Sequence, residues 1–359
     1  MSDARPTLDL GLVWRAGRQS KRPMDPELFA LLAAIKNTGK LTDATRQVGM
    51  RYRQAWDLIT NWSEQIGQPL VSKEQGRGTK LTPLGEKLLW VRERINARLT
   101  PHLESAASEV ERELDQLLKD TSLAVTMFAS HDLALTELRE FLRVRTGPKL
   151  DVRFASSLES VVALCKGRCE IAGFHVPEGM LGREILRKYE PWLKPRAQRT
   201  VHFVRRRQGL MVAAGNPLDI HGLKDIVKTS ARFINRQRGS GTHAALDRLL
   251  QDEGIERSDI NGYYTEEFTH LAVAAAIASG VADVGMGIEA AARRLKIDFI
   301  PFYTEDYYLL GKREIIERSD VESIIAVLRS PAFADVVSGI PGYDASAIGR
   351  VASVSDLLG

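Results

Sequence analysis

The apolar positions of this chain change period twice, and the changes divide it. Leu28, Leu31, Leu32 and Ile35 recur at steps of three and four, which predicts a helix over residues 25–37 opened by Asp25-Pro26-Glu27 and closed by Gly39. Ala44, Val48 and Met50 around Gly49 predict a short helix and a tight turn. Ala55, Leu58, Ile59 and Trp62 then predict a second helix whose opening residues, Arg51-Tyr52-Arg53-Gln54, are polar. Pro69-Leu70-Val71 and Lys80-Leu81 flank the glycine-rich Gln75-Gly76-Arg77-Gly78-Thr79, two short strands about a turn. Leu8, Leu10, Leu12 and Trp14 alternate, which predicts one further strand beside them.

From Pro83 to Leu118 the pattern becomes one narrow seam: Leu84, Leu88, Val91, Ile95, Leu99, Leu103, Ala106, Val110, Leu114 and Leu117. Steps of three and four with charges elsewhere are the signature of helices paired side by side, so the segment reads as a dimerisation helix. Pro101 removes an amide donor, and a kink or break is expected near Thr100.

Beyond Asp120, short apolar runs alternate with amphipathic stretches. Strands are expected at 123–128, 150–155, 170–174, 201–204, 210–213, 231–234, 281–286 and 299–303, and helices at 133–144, 158–165, 242–252, 268–279 and 321–328. That alternation predicts an α/β fold with mostly parallel sheets. The domain plan is thus 1–85, a helix-turn-helix with a wing; 86–119, a linker helix; and 120–359, an α/β domain.

Composition narrows the function. At 359 residues, 44% hydrophobic and 27% charged, the chain has the makeup of a globular protein, with no apolar run long enough to cross a bilayer. Its first residues lack a secretory pattern, so a cytoplasmic address is expected. The net charge is +4, yet residues 1–85 hold 13 Lys and Arg against 8 Asp and Glu. The basic excess lies where the helix-turn-helix lies, as a double-stranded DNA partner requires. Thr42, Arg51, Tyr52, Arg53 and Gln54, with Arg77 and Lys80 on the wing, are the expected DNA contacts.

In α/β sheets ligands bind beyond the carboxyl ends of strands, at helix starts. Three turns qualify: Ser130-His131-Asp132, Ser156-Ser157, and Asn235 to Thr242, which carries Arg236, Arg238, Ser240, Gly241 and Thr242. Hydroxyls, guanidinium groups and flexible glycines suit a small anion. The alternative is that the hydroxyls only cap helices. The third turn has neither P-loop nor G-x-G-x-x-G spacing. His131-Asp132 and Ser130 form no nucleophile arrangement, and the other six histidines no metal-ligand spacing. Cys165 and Cys169 read as buried thiols. No enzyme, metal or cofactor is expected. Arg205-Arg206-Arg207 reads as a solvated turn after a strand, or a contact to DNA or an acidic partner.

The stretch Gly49-Met50-Arg51-Tyr52-Arg53-Gln54-Ala55-Trp56-Asp57-Leu58-Ile59, with Leu81-Thr82-Pro83-Leu84-Gly85, resembles the winged helix-turn-helix of ModE-type molybdate-responsive regulators, and is similar to that of LysR-type regulators. The resemblance implies DNA binding by a dimer or tetramer. Residues 120–359 lack the Ser-Ala-Arg-Asn-Gln motif of ModE effector barrels. Through Ser130 to Leu135, Asn235 to Thr242 and Gly280 to Gly287 they resemble a type II periplasmic-binding-protein-like domain, in which two lobes close over a small ligand. Its hinges would be the crossings near 201–204 and 299–303. The implied function is a transcriptional regulator sensing molybdate or tungstate, or formate or another small carboxylate. An enzyme or accessory protein of molybdopterin metabolism, and a DNA-architectural protein, are the other readings.

Overall fold

The computed structural model describes residues 10–16, 22–74, 78–117, 124–145 and 148–358. Two compact units emerge, Gly11–Asn96 and Ala97–Gly359.

In the first unit, α1 (Pro26–Thr38), α2 (Leu41–Val48) and α3 (Tyr52–Ile66) precede a hairpin of β1 (Val71–Glu74) and β2 (Gly78–Leu81). Leu28, Leu31, Leu32 and Ile35 of α1 are buried with Ala44, Ala55, Ile59, Trp62 and Leu70. Burying such side chains contributes roughly 1.5–3 kcal/mol each before the entropy of ordering is subtracted. Gly49 ends α2 at φ +67°, a left-handed turn that favours glycine, and turns the chain into α3. Asp25 does not cap α1 through its side chain; it accepts instead from Trp62 Nε1 at 2.9 Å. That bond joins the start of α1 to the last turns of α3. The strand expected near residues 8–14 does not form: residues 10–15 carry no strand, and 8–9 lie outside the described residues. Alternation alone, with no partner strand to pair with, does not make a sheet.

A single helix, α4, covers Pro83–Leu117 and runs through Pro101 without a break. The proline costs the helix one hydrogen bond, that from its own nitrogen to Ala97 O, and Thr269 Oγ1 donates to that oxygen at 2.9 Å. The expected break is corrected accordingly. Leu84 and Leu88 pack on the core of the first unit, while Leu99, Val110 and Leu114 are exposed.

The second unit is an α/β domain in which β3 (Val125–Ala129), α5 (Leu133–Val144), β4 (Leu150–Phe154), α6 (Ser157–Cys165), β5 (Ile171–Pro177) and α7 (Gly179–Arg187) form one lobe. The chain crosses on β6 (Gln198–Val212) to α8 (Leu223–Thr229), β7 (Phe233–Arg236), α9 (Gly241–Asp252), β8 (Glu266–Glu267), α10 (His270–Ala278), β9 (Val284–Ile288) and α11 (Glu289–Arg294) of the other. It returns on β10 (Asp298–Lys312) to α12 (Arg313–Ile316), α13 (Ser319–Leu328), α14 (Pro331–Ser338), β11 (Tyr343–Asp344), β12 (Val351–Ser353) and α15 (Val354–Leu358).

The sheet order is β4-β3-β5-β10-β6-β9-β7-β8, with β11 and β12 also on β6. Side chains alternate between its faces: Phe233 joins one apolar layer and Ile234 the other. The β3/β4, β3/β5, β7/β8 and β7/β9 pairs are parallel, but β6 and β10 run antiparallel to each other and to their neighbours. The expectation of mostly parallel pairing is corrected here, because the two crossings run in opposite directions. Residues 201–204 and 210–213, read as separate strands, fall largely in the one 15-residue β6. Arg205-Arg206-Arg207 is therefore the middle of a strand and not a solvated turn. Polar residues hid its continuity.

Candidate functional site

The two lobes hang on different halves of the β6/β10 pair: β5 pairs with Glu305–Gly311, and β9 with Gln208–Val212. Where the lobes part, the strands carry Arg206, Gln208 and Glu305, all buried. Arg206 Nε donates to Glu305 Oε1 at 2.8 Å, and the same oxygen accepts from Gln208 Nε2 at 2.8 Å. Gln208 Nε2 also lies 3.1 Å from Thr242 Oγ1 in one lobe. On the other side the Arg206 guanidinium pairs with Asp132, which N-caps α5 by accepting from Ala134 N at 2.8 Å and accepts from Tyr343 OH at 2.6 Å. This chain of charge-assisted bonds links both lobes through their shared strands.

Around it stand the three turns. Ser130 Oγ is 3.4 Å from Ser157 Oγ, which is 3.2 Å from His175 Nδ1. The His175 ring stacks on Tyr307 at 3.9 Å between centroids, and its Nε2 has no hydrogen-bond partner. Gly241, the first residue of α9, lies beside this group: a Cβ placed there would be 3.7 Å from His175 Cβ and 4.0 Å from Ser157 Oγ. Ser240 N-caps α9 by accepting from His243 N at 3.1 Å. Ser156 closes a capping box, with its hydroxyl donating to Glu159 Oε2 at 2.7 Å. For Ser156 the capping role is therefore the one its hydroxyl performs.

Arg236 is the unusual member. It is 2% exposed, its Nε has no hydrogen-bond partner, and among the described residues it makes no ion pair. Burial, then the Arg206 charge, pulls its pKa down to about 9, against the pull of Glu305. Three histidines share its surroundings. Burial holds His175 and His270 well below the ordinary imidazole value, with Arg206 and Arg236 adding to the effect, and takes His131 down to about 4 against the opposing pull of Asp132. All three are neutral near pH 7. The arrangement is a cage of two guanidinium groups, of which Arg206 is ion-paired, with hydroxyls and neutral ring nitrogens, and it has orphaned polar atoms on Arg236 (Nε), His175 (Nε2), His270 (Nδ1) and Gln208 (Oε1). An unpaired buried charge is costly, and an anion held there would relieve it.

Of the residues expected from sequence, Ser130, Ser157 and Gly241 adjoin one another, Arg236 and His131 share one electrostatic neighbourhood, and Thr242 joins through Gln208. Arg238 is exposed, lies 3.6 Å from Glu266, and lines an outer cleft of about 440 Å³ together with Ser240, Gly241, Lys188, Tyr263 and Tyr264. His175, Arg206, Gln208, His270 and Glu305 were not expected. The available signal was a polar residue inside an apolar strand, as in Ile171-Ala172-Gly173-Phe174-His175-Val176.

In the first unit Ala55, Ile59 and Trp62 turn α3 inward and leave Arg51, Tyr52, Arg53 and Gln54 exposed. Arg51, Arg53 and Gln54 border an open concavity with Met50, Asp57 and Asn61. Thr42 and Lys80 are exposed as well; Arg77 lies outside the described residues. Among the described residues no helix is long and apolar enough to cross a membrane.

Two lobes carried on a pair of crossing strands are the fold of a periplasmic-binding-protein-like domain. The family model described as the PBP superfamily domain matches residues 138–329, and the chain belongs to that family. An uncharacterized protein of Bacillus subtilis, YvgK, is 29% identical over 248 residues, 68% of this chain and 79% of its own length. The molybdenum-pterin-binding protein MopB of Rhodobacter capsulatus is 29% identical over 46% of this chain and 68% of its own. The transcriptional regulator ModE of Yersinia pestis is 33% identical over 69 residues, 18% of this chain and 26% of its own. Among solved structures, full-length BenM aligns with 88% of this chain and 97% of its own, at 16% identity and a TM-score of 0.40.

Proposed function

We propose that this chain is a cytoplasmic, DNA-binding transcriptional regulator, dimeric or tetrameric and not an enzyme, whose two-lobed domain senses a small anion. The observation that carries the reading is the buried guanidinium of Arg236, with an orphaned Nε and no ion-pair partner among the described residues, in the neighbourhood of neutral histidines. A tetrahedral oxyanion such as molybdate or tungstate, or a formate-like carboxylate, would accept from Arg236, Ser130, Ser157 and the amides opening α9, with Thr242 behind Gln208. The name of the molybdenum-pterin-binding relative MopB favours the first pair. Arg238 serves the outer cleft and Ser156 the capping of α6. The ligand acts by favouring one arrangement of the lobes; an anion bound equally in both would change nothing.

The exposed Arg51, Tyr52, Arg53 and Gln54 at the start of α3, supported by Thr42, Lys80 and the wing residue Arg77, would read duplex DNA. Leu99, Ala106, Val110 and Leu114, exposed at steps of seven, four and four along α4, supply a face for a second copy.

The test has two arms. Thermal unfolding is followed with sodium molybdate, tungstate, sulfate, formate and acetate; a specific binder at 100 times its dissociation constant stabilises by about 2.7 kcal/mol. Mobility shift on genomic fragments then compares the wild type with Arg51→Ala/Arg53→Ala, which should bind none of the fragments the wild type retains while keeping its anion response. A chain that retains no DNA, or that no anion stabilises, contradicts the corresponding half of the proposal.

A further inference from the structure

Pro101 leaves Ala97 O without the donor four residues on, yet α4 continues, because Thr269 Oγ1 supplies the missing bond at 2.9 Å. Thr269 is fully buried and its hydroxyl also works in the other direction, since the same oxygen accepts from Ala272 N at 2.9 Å and caps α10. Its neighbours repeat the contact. Glu267 pairs with Arg98 at 3.0 Å, and the Phe268 and His102 rings lie 4.8 Å apart. The opposite side of this segment belongs to the anion cage. Glu267 stands in register with Arg236 across β7 and β8, Gln237 N donates to Glu267 O at 3.1 Å, and His270, one residue beyond Thr269, presents an unpartnered Nδ1.

We propose that Thr269 is a positioning residue that couples the anion cage to α4: its hydroxyl replaces the amide that Pro101 lacks, so that a shift of residues 266–270 on ligand binding is transmitted to the turn of α4 between Ala97 and Pro101. The coupling rests on the anion-site reading above; the threonine–proline bridge does not. A proline here strengthens the transmission, since with an ordinary residue the hydroxyl would share Ala97 O with a helix amide, whereas beside Pro101 it replaces that amide. The ion pair of Arg98 with Glu267 is half-exposed and weaker, and holds the segment from one side only.

Two experiments on the full chain decide it. The first is a thermal double-mutant cycle of Thr269→Val with Pro101→Ala. Thr269→Val should lower the unfolding midpoint by about 5 °C, and Thr269→Ser should restore most of it. In the Pro101→Ala background the loss should shrink by about half, because the backbone amide restored at position 101 now serves Ala97 O. The lost cap of α10 is common to both backgrounds and cancels. An equal loss in both backgrounds overturns the bridge.

The second is hydrogen exchange of the α4 amides from residue 98 to 105, with and without sodium molybdate, and with sodium formate in a separate arm. Whichever probe raises the unfolding midpoint should change these rates at least threefold in the wild type and in Thr269→Ser, and leave them unchanged in Thr269→Val. A full response in Thr269→Val overturns the coupling. If neither probe stabilises the protein, the molybdate and formate assignments fail, and the double-mutant cycle still decides the bridge.

Discussion

Arg206 and Glu305 meet at 2.8 Å across β6 and β10, the two strands by which the chain passes from lobe to lobe. Both are buried, and Arg206 also serves Asp132, so one guanidinium balances two buried carboxylates. The Arg206→Met variant would leave both uncompensated, at a cost of about 3–5 kcal/mol. Urea unfolding should show this as a lower midpoint with an unchanged slope. A variant as stable as the wild type would contradict an ionic network at this position.

Arg236 should behave with the opposite sign. Nothing negative is paired with it among the described residues, so Arg236→Met removes a desolvated charge and should raise anion-free stability by on the order of 1 kcal/mol. The same variant should lose its thermal response to every anion that stabilises the wild type. Calorimetric scans of the two methionine variants side by side give the comparison; destabilisation of both would assign Arg236 a structural partner.

The histidines of the cage set a pH window. His131 titrates in the folded chain at about 4, and His175 and His270 also lie well below the ordinary value, so the unfolded chain takes up these protons first. The stabilisation is complete above pH ~6.5 and is lost as the pH falls toward the folded values. Between pH 7.5 and 5.5 each histidine costs about 1.4 kcal/mol, ~4 kcal/mol for the three. Asp306, held at about 2 by His202 and Arg205 against the opposing effect of burial, contributes stability above its unfolded value that is lost only in stronger acid. Urea midpoints at half-unit steps of pH check the order of the two windows; a flat profile from 7.5 to 5.5 would contradict the neutral histidines.

The α4 face supplies the fourth expectation. Leu114, 39% exposed in one copy, would be covered by a partner. Leu114→Glu should halve the sedimenting mass of a dimer at micromolar concentration and leave the circular dichroism unchanged. Persistence of the oligomer would move the interface elsewhere.

Much of the first unit could be read in the chain because its information is local. Gly39 and Gly49 mark helix ends at positive φ, and the inward period of α3 fixes which residues face outward. In the second unit α5 is predicted residue for residue, and α6, α9 and α13 within two residues at each end. The central strands were harder, because Arg205, Arg206 and Gln208 interrupt an apolar run at positions where the fold pairs them with Glu305, Asp306 and Thr242, some 34 to 101 residues away. No local pattern announces such a pairing. The serines and Arg236 stand after strands, a position the chain itself marks, whereas His175 and His270 carry no such mark, because a buried histidine in an apolar segment looks like packing until its neighbours are known.

The residues after β10 do more than close the chain. Val321, Ile324, Leu328, Phe333 and Val337 of α13 and α14 share a core with Leu135, Leu138 and Leu142 of α5, and Tyr343 reaches Asp132. On the ribosome, the winged head can complete its own core with its own residues, but the lobe that follows it must wait for partners about 200 residues downstream. The nascent chain therefore holds the first lobe unfinished while about 150 further residues are made, and a chain cut before α13 would lack the partners of α5.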